Sequence, residues 1–383
     1  MLGLAVSVLV VAFGCEDNNP APDGGAGATG RGGSPTTGSG GAFGAGGMAG
    51  SSPAAGAPGT AGAAGAAGAA GASGATGAAG AGMAGAGGGS ACGDPLTHCN
   101  GTMSGAWCVE TVPPGGLNSF MGLWANRPDD VWFVGGDFST GIVPNATGMY
   151  AHFDGCTWTV TPRPDLPQLL GVWGASPGDV WIVGSSGNAF HWNGSALAPV
   201  PVPGATILRS ASGTSGSDVW AVGTGGLFHW NGGAWSQSSA NTGNDVWAVA
   251  PNDVWVASGS TDALHFDGTT WTGTTLTDFG LFTIWSDGTQ AYAGGEGEAL
   301  FHFAGGTWTT LQGRGGSSQG FTDIGGLGTD ILTVGNNQVV RLSGNTFTPI
   351  TDGPPAHGYE MVWVSPTQIW LGALDGTIAH RSR

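Results

Sequence analysis

The sequence predicts an all-β fold, a seven-bladed β-propeller of four-stranded antiparallel blades, and three observations lead to this prediction. A pattern of short apolar runs separated by turn residues recurs at intervals of 49, 39, 35, 37, 40 and 38 residues. Several positions of the pattern keep a constant phase with one another. A strand-like segment before the first repeat matches the strand that the last repeat lacks. Repeats of about 40 residues with four strands each are typical of propeller blades.

Each repeat is anchored on its second strand, usually at the Trp of Asp-Val-Trp. In the second repeat, turn sequences (Ser-Pro-Gly-Asp and Ser-Ser-Gly-Asn) separate the apolar runs LLGVWG, VWIVG and AFHW. Both alternating faces of VWIVG are apolar, so neighbouring blades must cover this strand on both sides. The single long interval follows from an insertion at residues 137–148. The seven anchors are Trp132, Trp181, Trp220, Trp255, Tyr292, Leu332 and Trp370.

Aspartates and histidines recur in phase with the anchors. Two residues before the anchors stand Asp130, Asp179, Asp218, Asp253, Gln290, Asp330 and Gln368. The third strands carry His152, His191, His229, His265, His302, Arg341 and His380. We interpret the aspartates as turn residues that bond nearby backbone N–H groups, with an acid/base pair or a calcium ligand as the alternative. The histidines are spread around a ring and cannot converge on one ion, so they predict packing and hydrogen bonding between blades. The sequence indicates no metal site and no cofactor.

The two ends of the domain complement each other. The last repeat stops at Arg383 without a fourth strand, and the segment Gly105–Glu110 resembles the fourth-strand segment Gly233–Ser236. We therefore expect the N-terminal strand to complete the seventh blade. Such closure removes the open sheet edge.

Composition divides the chain into three parts. Residues 1–15 form an apolar run that ends in Gly14-Cys15, and they predict a signal peptide with a lipidated Cys15. The alternatives are secretion without lipidation, or neither secretion nor lipidation. Residues 16–91 are rich in Gly and Ala and predict a disordered tether, or else a collagen-like stalk. Residues 92–383 contain all 17 Trp and form the propeller. These parts predict an exported lipoprotein of the outer membrane or cell surface, or otherwise a periplasmic or secreted protein.

Four cysteines remain after Cys15. An even number of cysteines in an exported protein suggests disulfides, and the positions Cys92, Cys99, Cys108 and Cys156 allow three pairings. We favour Cys108 with Cys156, because both flank outer strands of adjacent blades, and hence Cys92 with Cys99. A metal site is the alternative.

Charge excludes some ligand classes. The chain has a net charge of −17 and no Lys. Such a surface repels phosphate groups, which argues against nucleic acids and anionic lipids. The only membrane contact that we predict is the lipid anchor, and we expect a monomer.

Candidate binding residues lie in nonrepeated loops. The loops between second and third strands and those between blades should share one face, and loops on one face of a scaffold carry function. Their acidic and aromatic residues, which could attract a cation or a basic protein patch, are Asp137, Asp262, Glu296, Glu298, Asp375, Tyr359 and Glu360. The same loops contain Arg209, Arg314 and His357. A sugar site is the further possibility, on the out-of-phase aromatics Phe138, Phe279, Phe321 and Tyr359. No catalytic set stands out.

The repeats resemble those of exported bacterial propeller lipoproteins that carry Asp-Val-Trp-Ala-Val-Gly and His-Trp-Asn-Gly. The segment His265–Trp271 is also similar to the Asp-box hairpin of sialidase-type (BNR) repeats, although Asp267 and Gly268 are adjacent here. A sialidase would need an arginine triad and a Tyr–Glu nucleophile, and the neighbouring Tyr359 and Glu360 would point to opposite faces of a strand. The WD-repeat signatures are not in phase.

These features predict a surface-tethered extracytoplasmic module that binds a protein or a polysaccharide. An exported lyase or glycoside hydrolase that uses loop carboxylates is the first alternative. An assembly factor for an envelope complex is the second.

Overall fold

The computed structural model describes residues 99, 101–112, 118–139, 142, 147–315, 320–328, 330–335, 337–351, 353 and 358–383. The expected signal segment 1–15 with Cys15, the tether 16–91 and Cys92 lie outside the described residues. The described residues form 29 β-strands. None of the described residues belongs to a helix with the length and apolarity that a membrane crossing requires.

The strands form seven sheets, and each sheet is one blade. The chain begins with β1 (Thr102–Ser104) and β2 (Trp107–Thr111). Blade 1 contains β3 (Asn118–Arg127), β4 (Asp130–Asp137), β5 (Gly148–Phe153) and β6 (Trp158–Arg163). Blade 2 contains β7 (Leu169–Ser176), β8 (Asp179–Gly184), β9 (Asn188–Trp192) and β10 (Leu197–Pro201). Blade 3 contains β11 (Ile207–Ser215), β12 (Asp218–Thr224), β13 (Gly226–Trp230) and β14 (Trp235–Ser239).

Blade 4 contains β15 (Gly243–Ala250), β16 (Asp253–Ser258), β17 (Asp262–Phe266) and β18 (Trp271–Thr275). Blade 5 contains β19 (Leu281–Ser286), β20 (Gln290–Gly295), β21 (Ala299–Ala304) and β22 (Thr307–Gln312). Blade 6 contains β23 (Asp323–Leu327), β24 (Asp330–Gly335), β25 (Gln338–Ser343) and β26 (Thr346–Pro349). Blade 7 contains β27 (Tyr359–Val364), β28 (Gln368–Ala373) and β29 (Thr377–Ser382).

The predicted seven-bladed, four-stranded antiparallel propeller is confirmed. All seven anchors lie on the second strands, and each of those strands pairs with the first and third strands of its blade. In blade 7, the strand next to β29 is β2, and Cys108 pairs with His380. The short strand β1 extends this sheet to five strands.

The buried core lies between blades rather than within them. Among the described residues, the apolar side chains form seven clusters, and each cluster combines residues from two neighbouring blades. Trp220 and Val222 of blade 3, for example, pack with Val246 and Leu264 of blade 4. A blade is a single sheet with two apolar faces and cannot cover either face by itself. The closed ring supplies the cover.

Candidate functional site

The periodic aspartates and histidines form a structural unit that repeats around the ring. In blade 4, His265 Nε2 lies 2.9 Å from Asp253 Oδ1, and the His265 ring stacks on the anchor Trp255 at a centroid distance of 4.0 Å. Trp255 Nε1 donates to the same oxygen at 2.8 Å. The corresponding His–Asp distances in blades 1, 2 and 3 are 2.7, 2.8 and 2.6 Å. These residues therefore hold the second strand to the third within one blade, whereas the sequence predicted hydrogen bonds between blades.

The turn interpretation of the repeated aspartates was wrong. Their carboxylates accept hydrogen bonds from side chains, above all from the histidine across the sheet. The bonds to turn N–H groups are made instead by residues at the next hairpin. Asp267 Oδ1, for example, accepts from the N–H groups of Thr269 and Thr270, each at 2.8 Å. An Asp or Asn two residues beyond the histidine lies at the start of the next turn, so its side chain reaches the N–H groups of that turn. Asp253, at the start of β16, lies beside His265 instead.

The favoured disulfide pairing was also wrong. Cys108 is bonded to Cys99, with the two Cα atoms 5.6 Å apart. The hairpin of β1 and β2 explains this pairing, because it turns the chain back so that residues just before β1 lie beside β2. Cys156, which we expected to bond Cys108, lies in the turn between β5 and β6 and is in a disulfide of its own.

Cys99, Cys108 and Glu110 are the three described residues whose ligand atoms approach one another as metal ligands do, within 4.8 Å. The two sulfurs are joined in the disulfide, so they are not the thiolates that a metal needs.

The predicted loop carboxylates do not converge. They belong to hairpins of four blades, with Glu296 and Glu298 on the same hairpin of blade 5, and each is engaged locally. Asp137 accepts from Ser139 N, Asp262 from Thr275 Oγ1, and Asp375 from Thr377 N. The hydrogen bonds from Ser139 lower the pKa of the Asp137 carboxyl. In blade 5, Glu296 forms an ion pair with Arg314, and Glu298 accepts from Gln312 Nε2 at 3.3 Å.

Tyr359 and Glu360 are adjacent on β27 and point in different directions. Tyr359 is only 2% exposed and packs in the core between blades 6 and 7. Burial, with a smaller effect of the Asp375 charge, raises the pKa of Tyr359 to about 12. Glu360 lines the central channel. Of the predicted binding residues, Glu360 is thus the one that faces the axis of the ring.

The central channel is lined by the first strands of all seven blades and has a volume of about 170 Å³. Six of these strands contain a β-bulge at the equivalent place, after the first one to three paired residues. A bulge leaves one residue unpaired and turns its side chain to a new direction. The bulged residues are Met121, Leu170, Arg209, Asn244, Phe282 and Glu360, and Thr322 precedes β23 at the equivalent place. All seven line the channel, and we call them the mouth ring.

The mouth ring lies toward the face that we expected to bind a ligand. Each bulge is near the beginning of its first strand, which pairs with the end of the second strand; Ile207, for example, pairs with Thr224. The hairpins to the third strands and the connections between blades therefore surround this end of the channel. These loops share one face, as expected. Arg209 and Glu360 of the ring were among the loop residues that the sequence indicated, and the other five ring residues were not.

Below the mouth ring, two carboxylates link neighbouring first strands. Asp245 accepts from Ser210 Oγ at 2.7 Å, from Val246 N at 2.8 Å and from Ile284 N at 2.9 Å. Thr283 Oγ1 donates to the second oxygen of Asp245 at 3.2 Å. Asp323 accepts from Val362 N at 2.8 Å. These carboxylates satisfy backbone N–H groups of the next blade.

Burial controls the protonation of the channel carboxyls. Burial raises the pKa of Asp245, although the hydrogen bond from Ile284 N and the other donors oppose the shift. Burial and the nearby Asp245 charge raise the pKa of Asp323 to about 8. Burial also raises the pKa of Glu360. Near neutral pH, Asp323 therefore holds a proton for much of the time.

Comparisons with known proteins support the fold. No family model matches this chain, and no curated protein matches it. Among solved structures, YCF48 bound to D1 peptide is 14% identical with a TM-score of 0.54, over 74% of this chain and 97% of that chain. A catalytically inactive virginiamycin B lyase from Staphylococcus aureus with quinupristin is 12% identical with a TM-score of 0.56, over 72% and 98%. The RRP9 WD40 repeats are 10% identical with a TM-score of 0.58, over 72% and 97%. At such identities the similarity shows the propeller scaffold alone.

Proposed function

We propose that this protein is an extracytoplasmic binding module that holds a protein ligand at the mouth ring. The observation that carries the proposal is the contrast between scaffold and ring. The anchor and histidine positions repeat from blade to blade, whereas the seven ring positions carry seven different residue types at one structural place. Residues that build the scaffold repeat at the same positions in each blade, whereas residues of a binding site differ from blade to blade.

The chemistry of the ring suits a polypeptide. The seven ring residues contribute two apolar side chains, a guanidinium, an amide, an aromatic ring, a hydroxyl and a carboxylate. Such a mixture offers apolar anchors together with donors and acceptors, as protein interfaces do. YCF48, which shares the scaffold, was solved with a peptide bound. This likeness is an analogy at the level of the fold.

Export is a second part of the proposal. The disulfide between Cys99 and Cys108 supports it, since such bonds persist in oxidising compartments. The apolar segment 1–13 followed by Gly14-Cys15 supports lipidation and attachment to a membrane surface. Labelling of the native protein with a radioactive fatty acid tests the anchor, and Cys15→Ser should abolish the label.

Photo-crosslinking in the native cell tests the mouth ring. The full chain carries p-benzoylphenylalanine in place of Phe282 at the ring or, as the control, in place of Phe347, which is 37% exposed on β26. We expect a discrete crosslinked partner from position 282 and none from position 347. The charge reversal Glu360→Arg should weaken the crosslink from position 282. Equal crosslinks from both positions, or none from 282, would overturn the proposal.

A further inference from the structure

Four of the junctions between blades share a tryptophan on the outer strand that packs against an anchor tryptophan. The indole of this residue packs edge-on against the anchor of the preceding blade. The four ring pairs are Trp158 with Trp370 at 6.3 Å, Trp235 with Trp181 at 5.6 Å, Trp271 with Trp220 at 5.6 Å and Trp308 with Trp255 at 5.9 Å between centroids. The four junctions can therefore be compared position by position.

Two of the junctions are closed by a hydrogen bond to the indole N–H. Trp158 Nε1 donates to Glu110 Oε2 at 3.0 Å, and Trp271 Nε1 donates to Ser238 Oγ at 3.0 Å. Both acceptors lie on the outer strand of the preceding blade, three residues after Trp107 and Trp235 respectively. The same position of the repeat thus supplies the acceptor each time.

A third junction is closed by apolar packing. The equivalent position before Trp235 is Val200, which packs against the same core cluster as this indole. Trp235 is only 6% exposed. The space between blades 2 and 3 is filled without a hydrogen bond to the indole.

The junction between blades 4 and 5 remains open. The equivalent position is Thr274, and within the described residues neither its hydroxyl nor the indole N–H of Trp308 forms a hydrogen bond. A groove of about 450 Å³ lies here instead. Its lining includes Thr274, Thr275, Phe303, Thr307, Trp308 and Thr310.

The groove combines aromatic faces with hydroxyl groups and has no charged side chain in its lining. The nearby carboxylate of Asp262 is engaged by Thr261 and Thr275. An anionic ligand would be repelled by a chain with a net charge of −17, and a cation would find no carboxylate in the lining. Hydroxyls and one indole donor beside partly exposed rings suit a ligand that carries hydroxyl groups and apolar faces together.

We propose that the groove between blades 4 and 5 is a binding site for a neutral saccharide. Trp308 contributes the stacking face and an indole donor, and Thr274 contributes a hydroxyl from the opposite wall. The site is independent of the mouth ring, so either can fail without the other.

Nuclear magnetic resonance on the full chain tests the site through the indole N–H signals. The probes are maltohexaose, cellohexaose, xylohexaose and chitohexaose, each added up to 10 mM. We expect one of them to shift the Trp308 signal in a saturable manner, with Trp308→Phe used to assign that signal and to remove the donor. The matched control is Trp271→Phe, which removes an indole N–H that is already bonded to Ser238. It should leave the affinity within twofold of the wild-type value.

A second variant tests the groove without removing an aromatic residue. Thr274→Glu places at this junction the acceptor that Glu110 provides for Trp158. It should close the groove and weaken saccharide binding at least tenfold, while the protein stays folded. The proposal is overturned if none of the four probes shifts the Trp308 signal, or if Thr274→Glu binds the probe as tightly as the wild type.

Discussion

Neighbouring first strands meet in two different ways on the two sides of the central channel. On the glycine side, which comprises β3, β7 and β11, Gly122 and Gly171 lie against the backbone of the next blade. A Cβ atom on Gly171 would lie 2.8 Å from Arg209 O and 2.9 Å from Ser210 Cα. On the carboxylate side, which comprises β15, β19, β23 and β27, the same repeat position carries Asp245, Thr283 and Asp323.

The difference shows that the same repeat position joins neighbouring first strands in two ways. Direct backbone contact requires the absence of a side chain, and glycine provides it. Where the strands leave room for a side chain, the N–H groups of the next blade need acceptors, since buried backbone donors are rarely left unpaired. Asp245 and Asp323 supply these acceptors to Ile284 and Val362. The ring therefore has one side where neighbouring backbones are in direct contact and one side where buried carboxyl groups join the strands.

The largest expected effect comes from adding a side chain on the glycine side. Gly171→Val places methyl groups against the backbone of β11, which cannot move without displacing blade 3. We expect a loss of about 3 kcal/mol in the free energy of unfolding, measured by urea denaturation. The control is Gly313→Val, because a Cβ at Gly313 meets no atom within 4 Å. Equal effects of the two variants would contradict the close packing of the glycine side.

A smaller effect is expected from removing an acceptor on the carboxylate side. Asp245→Ala removes the acceptor of Ile284 N and of the Ser210 and Thr283 hydroxyls. The expected loss in the free energy of unfolding is about 2 kcal/mol by urea denaturation. The exposed Asp278 makes no hydrogen bond in the described part of the chain, so Asp278→Ala should change stability by less than about 0.5 kcal/mol. If Asp245→Ala left the free energy of unfolding unchanged, the carboxylate would not be what joins the strands.

The smallest effect for a single step of the measurement, one pH unit, is a pH dependence of stability that arises on the carboxylate side. The folded-state pKa of Asp323 is raised to about 8, so its stabilising contribution is complete below the unfolded pKa near 4 and is lost as the pH rises toward 8. We expect a loss of about 1 kcal/mol for each pH unit within this window.

Asp323→Asn isolates this contribution, because the amide cannot titrate and retains an oxygen for Val362 N. Urea unfolding between pH 5 and pH 8 should show a flatter profile for the variant than for the wild type. Parallel profiles would show that Asp323 is ionised throughout this range and would remove the proposed asymmetry of the ring.

Much of the fold was predictable because the information is local and repeated. The anchors and histidines recur at nearly constant spacing, and the structure places every anchor on a second strand. Much less of the site was predictable. Glu360 was among the predicted residues, whereas Met121, Leu170, Asn244, Phe282 and Thr322 were not. These residues occupy the position of the first strands at which the residue type varies most between blades. That variation becomes visible only when the repeats are aligned on their bulges, which the sequence does not mark.

The sequence by itself determined the number of blades, the strand order and the interior positions, since alternating apolar residues and turn residues act over a few neighbours along the chain. Only the tertiary structure decided which side chains face the channel, because a bulge changes the direction of a side chain without a distinct residue pattern. It also decided that Cys108 bonds Cys99 and that Thr274 leaves a groove beside Trp308. These outcomes depend on distances between strands that are far apart in the chain, and such distances are set when the ring closes.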